Sequence, residues 1–151
     1  MKKLILSSHW VFILLMLGCA HQGLQLDNMD YPISRIKFAV SKSLPIGKRS
    51  ETENGREFFS KYFIVSKGKF IPAKSFRKRK HVHISILGDR RPYKINVTVI
   101  FQVRVKGDGI SESYKTVGED RPFAKVILRR IRKILSKRRD EGDIIDDFRI
   151  F

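Results

Sequence analysis

The chain has 151 residues, with 32 lysines and arginines against 15 aspartates and glutamates, so its formal net charge is +17. A length of this order suits a single domain, and a hydrophobic share of 42% that includes 11 phenylalanines argues against wholesale disorder. The single cysteine excludes an intramolecular disulfide framework and any zinc module built on several cysteines.

The N-terminus has the organisation of an export signal. Two lysines precede an apolar stretch over residues 4–17, which is shorter than the roughly 20 residues of a membrane-spanning helix. The stretch ends in Leu15-Met16-Leu17-Gly18-Cys19. This run resembles the lipobox of bacterial lipoproteins, in which a small residue precedes the cysteine that receives the lipid. Met16 stands where leucine is commoner, and the resemblance, which covers about the first 20 residues, identifies no family for the domain.

The resemblance implies cleavage between Gly18 and Cys19, so that residues 1–18 form a signal peptide and Cys19 carries acyl chains such as palmitate. The mature chain, 151 less 18 residues, then has 133 residues and a charge of +15, because two lysines and no acid are lost. Ala20 rather than aspartate follows the cysteine, which in this family implies sorting to the outer membrane, facing the periplasm. Two alternatives stay open: ordinary cleavage after Ala20, which releases a soluble periplasmic protein, and an uncleaved anchor.

The first part of the expected domain contains two predicted strands. Ile36, Phe38 and Val40 alternate with small or charged residues, which predicts a half-buried strand. A loop follows over residues 44–54 and ends in a pair that favours a tight turn. Residues 56–65 are apolar at both parities, which predicts a central strand covered on both faces or, as the alternative, a buried helical turn.

The most regular predicted feature is a hairpin. Val82, Ile84 and Ile86 share one parity, and a turn with glycine and proline follows them. Residues 95–105 then alternate almost without interruption between apolar and polar side chains. A shorter and weaker strand is predicted over residues 110–117.

A long helix is predicted from Pro122 to Arg139. Asp120 is a candidate cap, and Pro122 suits a first helical turn. Apolar side chains recur at helical spacing on one side. The other side is basic, with Lys125, Arg129, Arg132, Lys133 and Arg138. Residues 144–151 are expected to form a closing extended segment.

These elements predict an α+β fold in two layers. An antiparallel sheet of about four to six strands is expected, with one long amphipathic C-terminal helix packed on one face and then a short terminal strand. Residues 19–32 are expected to form the lipid anchor and a polar tether, and residues 33–151 a single small domain.

The densest charge run is a basic cluster in the middle of the chain, Lys74, Arg77, Lys78, Arg79 and Lys80. In a cytosolic protein such a run indicates nucleic-acid binding. Behind an export signal, the available polyanions are anionic lipid, lipopolysaccharide phosphates and acidic envelope proteins. We therefore expect this cluster to bind an anionic envelope partner, with a solvated loop as the alternative.

No catalytic or metal-binding constellation is predicted. His81 and His83 lie two apart on one strand and project from the same, polar face, but a zinc site needs at least three protein ligands. One acidic cluster follows the helix and is expected to neutralise its basic side, Asp140, Glu141, Asp143, Asp146 and Asp147. The sequence contains no glycine-rich phosphate loop and no nucleophile elbow, so neither a cofactor nor enzymatic activity is expected.

The expected function is that of a lipid-anchored bacterial cell-envelope lipoprotein. It is expected to act without catalysis, as a binding, assembly or accessory module whose basic surface meets an anionic partner. A basic nucleic-acid-binding protein is the alternative from another class, because the aromatic residues over 58–63 could stack on bases. Nucleic acid is the less favoured partner because of the export signal.

Overall fold

The computed structural model describes residues 23–105 and 113–137. The described residues form one antiparallel sheet and two helices, in the order β1 (Leu24–Met29), α1 (Ile33–Ser43), β2 (Lys48–Glu51), β3 (Glu57–Ser60), β4 (Phe63–Ser66), β5 (Lys69–Pro72), β6 (Lys78–Leu87), β7 (Tyr93–Val105), β8 (Ser113–Glu119) and α2 (Arg121–Lys137). The predicted α+β architecture is confirmed. Its sheet has eight strands where four to six were expected, and a second helix accompanies the C-terminal one.

Strands β6 and β7 form the centre of the sheet. They pair antiparallel over ten residues, from Lys78 opposite Val103 to Leu87 opposite Lys94. At one end of this pair the strand order is β1-β7-β6-β3-β2. At the other end β8 lies beside β7, while β4 and β5 lie on the side of β6. The hairpin that alternation predicted is therefore confirmed, and the rest of the sheet is built around it.

Alternation along the central pair gives the sheet two unlike faces. Val82, Ile84 and Val97 are completely buried and point towards the helices. Their neighbours along each strand point to the opposite face, which neither described helix covers. Full burial of such a side chain contributes about 1.5–3 kcal/mol, so the helix-side face supplies the hydrophobic core. The other face is the open face of the sheet.

Helix α2 begins as predicted. Asp120 Oδ1 accepts a hydrogen bond from the Phe123 backbone N–H at 3.0 Å, which caps the first turn. The helix buries a stripe of residues at helical spacing against the sheet and α1, namely Ala124, Ile127, Ile131 and Leu135. The expected end at Arg139 and the terminal strand over 144–151 lie outside the described residues.

The strand predicted around Ile36 and Val40 is wrong, because this segment belongs to helix α1. Ile36, Ala39, Val40 and Ser43 are its buried residues, while Phe38 is 41% exposed. Positions 36 and 40 satisfy a period of two and also the four-residue spacing of a helix, so they do not discriminate between the two. Packing against α2 favours the helix, and Arg35 Nη2 donates to the Leu135 carbonyl at 2.8 Å.

The single strand predicted over residues 56–65 is also wrong. The chain breaks between β3 and β4 at Lys61 and Tyr62. The break changes which parity faces the core, so that Phe58 and Phe63 are both buried on the helix side. Ser60 supports the break, since its Oγ accepts a hydrogen bond from the Val82 backbone N–H at 2.8 Å. Two faces that looked equally apolar thus arise from two short strands in opposite phase.

The tether is shorter than expected. Residues 24–29, assigned to the tether from sequence, form strand β1, in which Leu24 pairs with Val97 and Leu26 with Ile95. Leu26 is buried, so β1 belongs to the domain that was expected to begin at residue 33. The loop over 44–54 likewise contains the short strand β2. Both are edge strands whose polar residues conceal the period.

Helix α2 provides a matched pair of substitutions. Ile131 is completely buried and Lys133, two residues later, is exposed. We expect Ile131→Ala to lower the free energy of unfolding in urea by about 2–5 kcal/mol, because it removes core contacts and leaves a cavity. Lys133→Ala is expected to change it by less than about 0.5 kcal/mol. Equal losses for the two variants would contradict the packing of α2 on the sheet.

Candidate anion-binding surfaces

The five residues of the predicted basic cluster do not form one surface. Lys74 and Arg77 are exposed in the loop between β5 and β6, and Lys78 is exposed at the start of β6. Arg79 and Lys80 are half-buried and, because a strand alternates, point to opposite faces of the sheet. Three of the five side chains therefore remain in solvent.

The loop that carries Lys74 and Arg77 is fastened to the sheet through its backbone. Tyr114 Oη donates to the carbonyls of Lys74, at 3.2 Å, and of Phe76, at 3.1 Å. The Arg104 backbone N–H donates to the Arg77 carbonyl at 2.7 Å. Because the carbonyls bond to β7 and β8, the loop side chains are held outward.

Arg79 is a structural residue at this end of the open face. Its guanidinium carbon lies 3.6 Å from the ring centroid of Tyr62 and 3.3 Å from that of Tyr114. Its Nε donates to Gln102 Oε1 at 3.0 Å, and its Nη1 donates to the Lys74 carbonyl at 2.8 Å. A cation held against aromatic rings contributes about 0.5–2 kcal/mol per contact. Arg79 thus joins three strands and one loop.

Lys80 is neutralised inside the protein. Its Nζ lies 2.6 Å from Asp120 Oδ2, and Asp120 also caps α2. Burial raises the pKa of Asp120, but the hydrogen bonds from Lys80 and the Phe123 amide, with the Lys80 charge, outweigh it and hold that pKa below its usual value. The pair lines a shallow cleft of about 430 Å³ beside Phe101 and Pro122. Lys80 is therefore not available to an external anion.

The densest exposed charge lies on α2. A basic residue recurs at every fourth position and is exposed each time, and we call this row the basic ridge, Arg121, Lys125, Arg129, Lys133 and Lys137. At a rise of 1.5 Å per residue, neighbours stand about 6 Å apart and the row is about 24 Å long. Within residues 23–105 and 113–137, no carboxylate lies within ion-pair distance of these five side chains.

The basic ridge opposes folding. Like charges four residues apart destabilise a helix by about 0.2–0.5 kcal/mol per pair, so its four successive pairs destabilise α2 by about 1–2 kcal/mol. The buried stripe, which includes Ile127 and Ile131, compensates for this repulsion. Since the ridge does not help the helix to form, a ligand of opposite charge is the condition under which it becomes favourable.

His81 and His83 project from the open face, as predicted, but the expected polar environment of His81 is wrong. His81 is only 7% exposed. The edge of the Tyr62 ring packs on the imidazole, with centroids 5.3 Å apart. His83 stacks on Phe59 with centroids 4.5 Å apart and lies 3.8 Å from Glu57. Among the described residues, no three histidine, cysteine or acidic side chains come together as a metal site.

The environment of His81 is electropositive. Burial, followed by the charges of Arg49, Arg79 and His83, lowers the pKa of His81 to about 4. The imidazole is therefore neutral at pH 7. Its Nδ1 is buried and has no hydrogen-bond partner in the described part of the chain.

Sequence reasoning missed Arg49, Tyr62 and Tyr114. These three come from β2, from the break before β4 and from β8, and they meet only because the strands around β6 pair as they do. The one signal that could have indicated them was the aromatic run between residues 58 and 63, which was assigned to a single strand.

Comparisons with known proteins assign no family. Compared with protein-family models, with curated proteins and with solved structures, the chain matches none. In residues 23–105 and 113–137, neither helix combines the length and the apolarity needed to cross a membrane. Gly18, Cys19 and the acidic cluster over 140–147 lie outside the described residues.

The buried imidazole predicts a defined acid sensitivity. The folded protein keeps His81 neutral down to a pKa of about 4, whereas the unfolded chain protonates it near 6.5. The unfolded state therefore binds more protons between these values, and stability decreases as the pH falls through this interval. We expect urea melts at pH 7.5 and 5.0 to show a smaller acid loss for His81→Gln than for the unmodified chain. Identical losses would contradict the buried, neutral state of His81.

Proposed function

We propose that this protein is a lipid-anchored bacterial cell-envelope lipoprotein that acts without catalysis, as a binding or accessory module on an anionic envelope surface. The lysines, the apolar stretch and the Gly18-Cys19 pair support an exported and lipidated chain. Several acyl chains on one cysteine give stable anchoring, whereas a single chain binds only marginally. The proposed location is the outer membrane, facing the periplasm.

The observation that carries the proposed binding role is the basic ridge. Five exposed cations on one straight helix, without a carboxylate partner among the described residues, are more than solubility requires. Arg130 and Arg132 widen the basic side of α2. A broad, one-sided array of this kind suits a surface on which anions lie side by side, as in anionic lipid headgroups or lipopolysaccharide phosphates.

The position of β1 supports contact with such a surface. Strand β1 begins at Leu24, five residues after Cys19. Five residues span at most about 18 Å when fully extended. A domain held by so short a connection remains next to the headgroup layer, where basic side chains each gain about 1 kcal/mol from anionic lipid.

Lipidation is tested on the single cysteine. We expect cells that express the full chain to incorporate a clickable palmitate analogue into it, and expect Cys19→Ala to abolish the label, since no other cysteine is present. The variant should also leave the membrane fraction. Label retained by Cys19→Ala, or absent from the unmodified chain, would contradict the lipid anchor.

The basic ridge is tested with vesicles and the mature chain carrying Cys19→Ser. We expect it to bind vesicles that contain phosphatidylglycerol and to bind pure phosphatidylcholine poorly. Lys125→Gln, Arg129→Gln and Lys133→Gln together should weaken binding about 100-fold, at about 1 kcal/mol per residue. Raising the salt from 50 to 500 mM should release the protein, because the Debye length contracts from roughly 14 to about 4 Å.

Two triple variants with the same change of net charge serve as controls. Lys61→Gln, Lys69→Gln and Lys115→Gln remove exposed charges elsewhere, and binding should weaken by less than about fivefold. Substituting Lys74, Arg77 and Lys78 measures the loop separately. Equal losses for the ridge and for the scattered triple would show that net charge alone governs binding. Preferential binding to single-stranded DNA at physiological salt would favour the nucleic-acid alternative.

A further inference from the structure

Two arginines converge on one tyrosine ring on the open face of the sheet. The guanidinium carbon of Arg79 lies 3.6 Å from the Tyr62 ring centroid, and that of Arg49 lies 4.4 Å from the same centroid. Arg49 comes from edge strand β2, at the point where the register with β3 shifts. Such bulges re-aim a side chain and are frequent next to functional sites. The bulge here places Arg49 over the Tyr62 ring.

The two guanidinium groups have no counter-ion in the described part of the chain. No carboxylate lies within ion-pair distance of either arginine, and the nearby Glu51 and Glu57 contact Lys48 and His83 instead. Two like charges so close together repel each other. Arg79 uses Nε and Nη1 in bonds to Gln102 and Lys74, which fixes its orientation while Nη2 remains unbonded among the described residues.

His81 supplies a second and independent observation. Its imidazole packs on Tyr62, beside both arginines, and more than nine-tenths of the residue is buried. Its Nδ1 has no hydrogen-bond partner among the described residues. A buried polar atom without a partner destabilises a fold by about 1–3 kcal/mol, so an unused hydrogen-bonding position at this place requires an explanation.

We propose that Arg49, Arg79 and His81 form a binding site for the phosphate group of a soluble phosphate monoester. The charge favours phosphate over a carboxylate, because a monoester carries close to two negative charges near neutral pH and the site offers two guanidinium groups. Arginine is suited to such a group since its planar fork donates two parallel hydrogen bonds. Arg79 is held in place in advance, and the exposed Arg49 closes on the ligand.

The position of the site in the fold favours a soluble ligand. It lies on the open face, whereas the basic ridge lies on α2, on the opposite side of the sheet. A flat membrane that contacts the ridge cannot contact Arg49 at the same time. The inference therefore does not depend on the proposed membrane role, and the two are tested with different substitutions.

The test titrates the mature chain carrying Cys19→Ser with glycerol 3-phosphate, with inorganic phosphate and with acetate. We expect saturable binding of both phosphates, with dissociation constants below about 1 mM, and none of acetate at ten times the concentration. Imidazole NMR signals should show that bound phosphate raises the pKa of His81, because an adjacent anion favours the protonated ring. Absence of saturation, or a His81 titration unchanged by phosphate, would overturn the proposal.

Substitutions on strand β2 provide the matched control. Arg49→Gln should weaken glycerol 3-phosphate binding at least 10-fold, and Arg49→Lys should restore little of it because lysine lacks the planar fork. Lys48→Gln removes the same charge from the adjacent exposed residue and should leave binding within twofold. All three variants should keep the unmodified melting temperature, since both side chains are exposed. Equal effects of Arg49→Gln and Lys48→Gln would overturn the site. So would binding only to vesicles that contain phosphatidic acid.

Discussion

The ten-residue pairing of β6 with β7 is the constraint on which the other features of this domain depend. Its register sends Val82 and Ile84 of β6, with Val97 and Val99 of β7, to one face, where the helices cover them. The same register necessarily sends Arg79, His81 and His83 to the other face. Core and open face are thus two results of one ladder, and a slip of one residue would exchange them.

Periodicity predicted those elements in which one pattern had no competitor. Strand β7 alternates over most of its length, and α2 repeats its buried residues at helical spacing. It failed at Ile36 and Val40, because a spacing of four residues belongs to both periods and only the contact of α1 with α2 decides between them. It failed again at residues 61–62, where a break in the chain reverses the phase and two half-buried strands resemble one buried strand.

The candidate sites divide along the same line. The basic ridge could be predicted, since residues four apart share one face of a helix wherever it packs. The loop cluster could not be interpreted from sequence alone, because neighbours on a strand face opposite ways and Lys80 finds its partner, Asp120, 40 residues away. The meeting of Arg49 with Arg79 requires β2 on β3, β3 on β6 and a bulge. No local pattern encodes such a chain of pairings.

Strand β1 also determines how the domain carries mechanical load. Under the proposed anchoring, the lipid and the sheet are connected in series through Leu24, and a pull on the anchor acts first on the β1–β7 ladder. That ladder is regular only from Leu24 to Leu26 before its register shifts, whereas β6 and β7 are paired over ten residues. The edge strand is therefore the yield point. Force peels it away while the central hairpin and α2 still hold together, so the anchored domain extends before it unfolds.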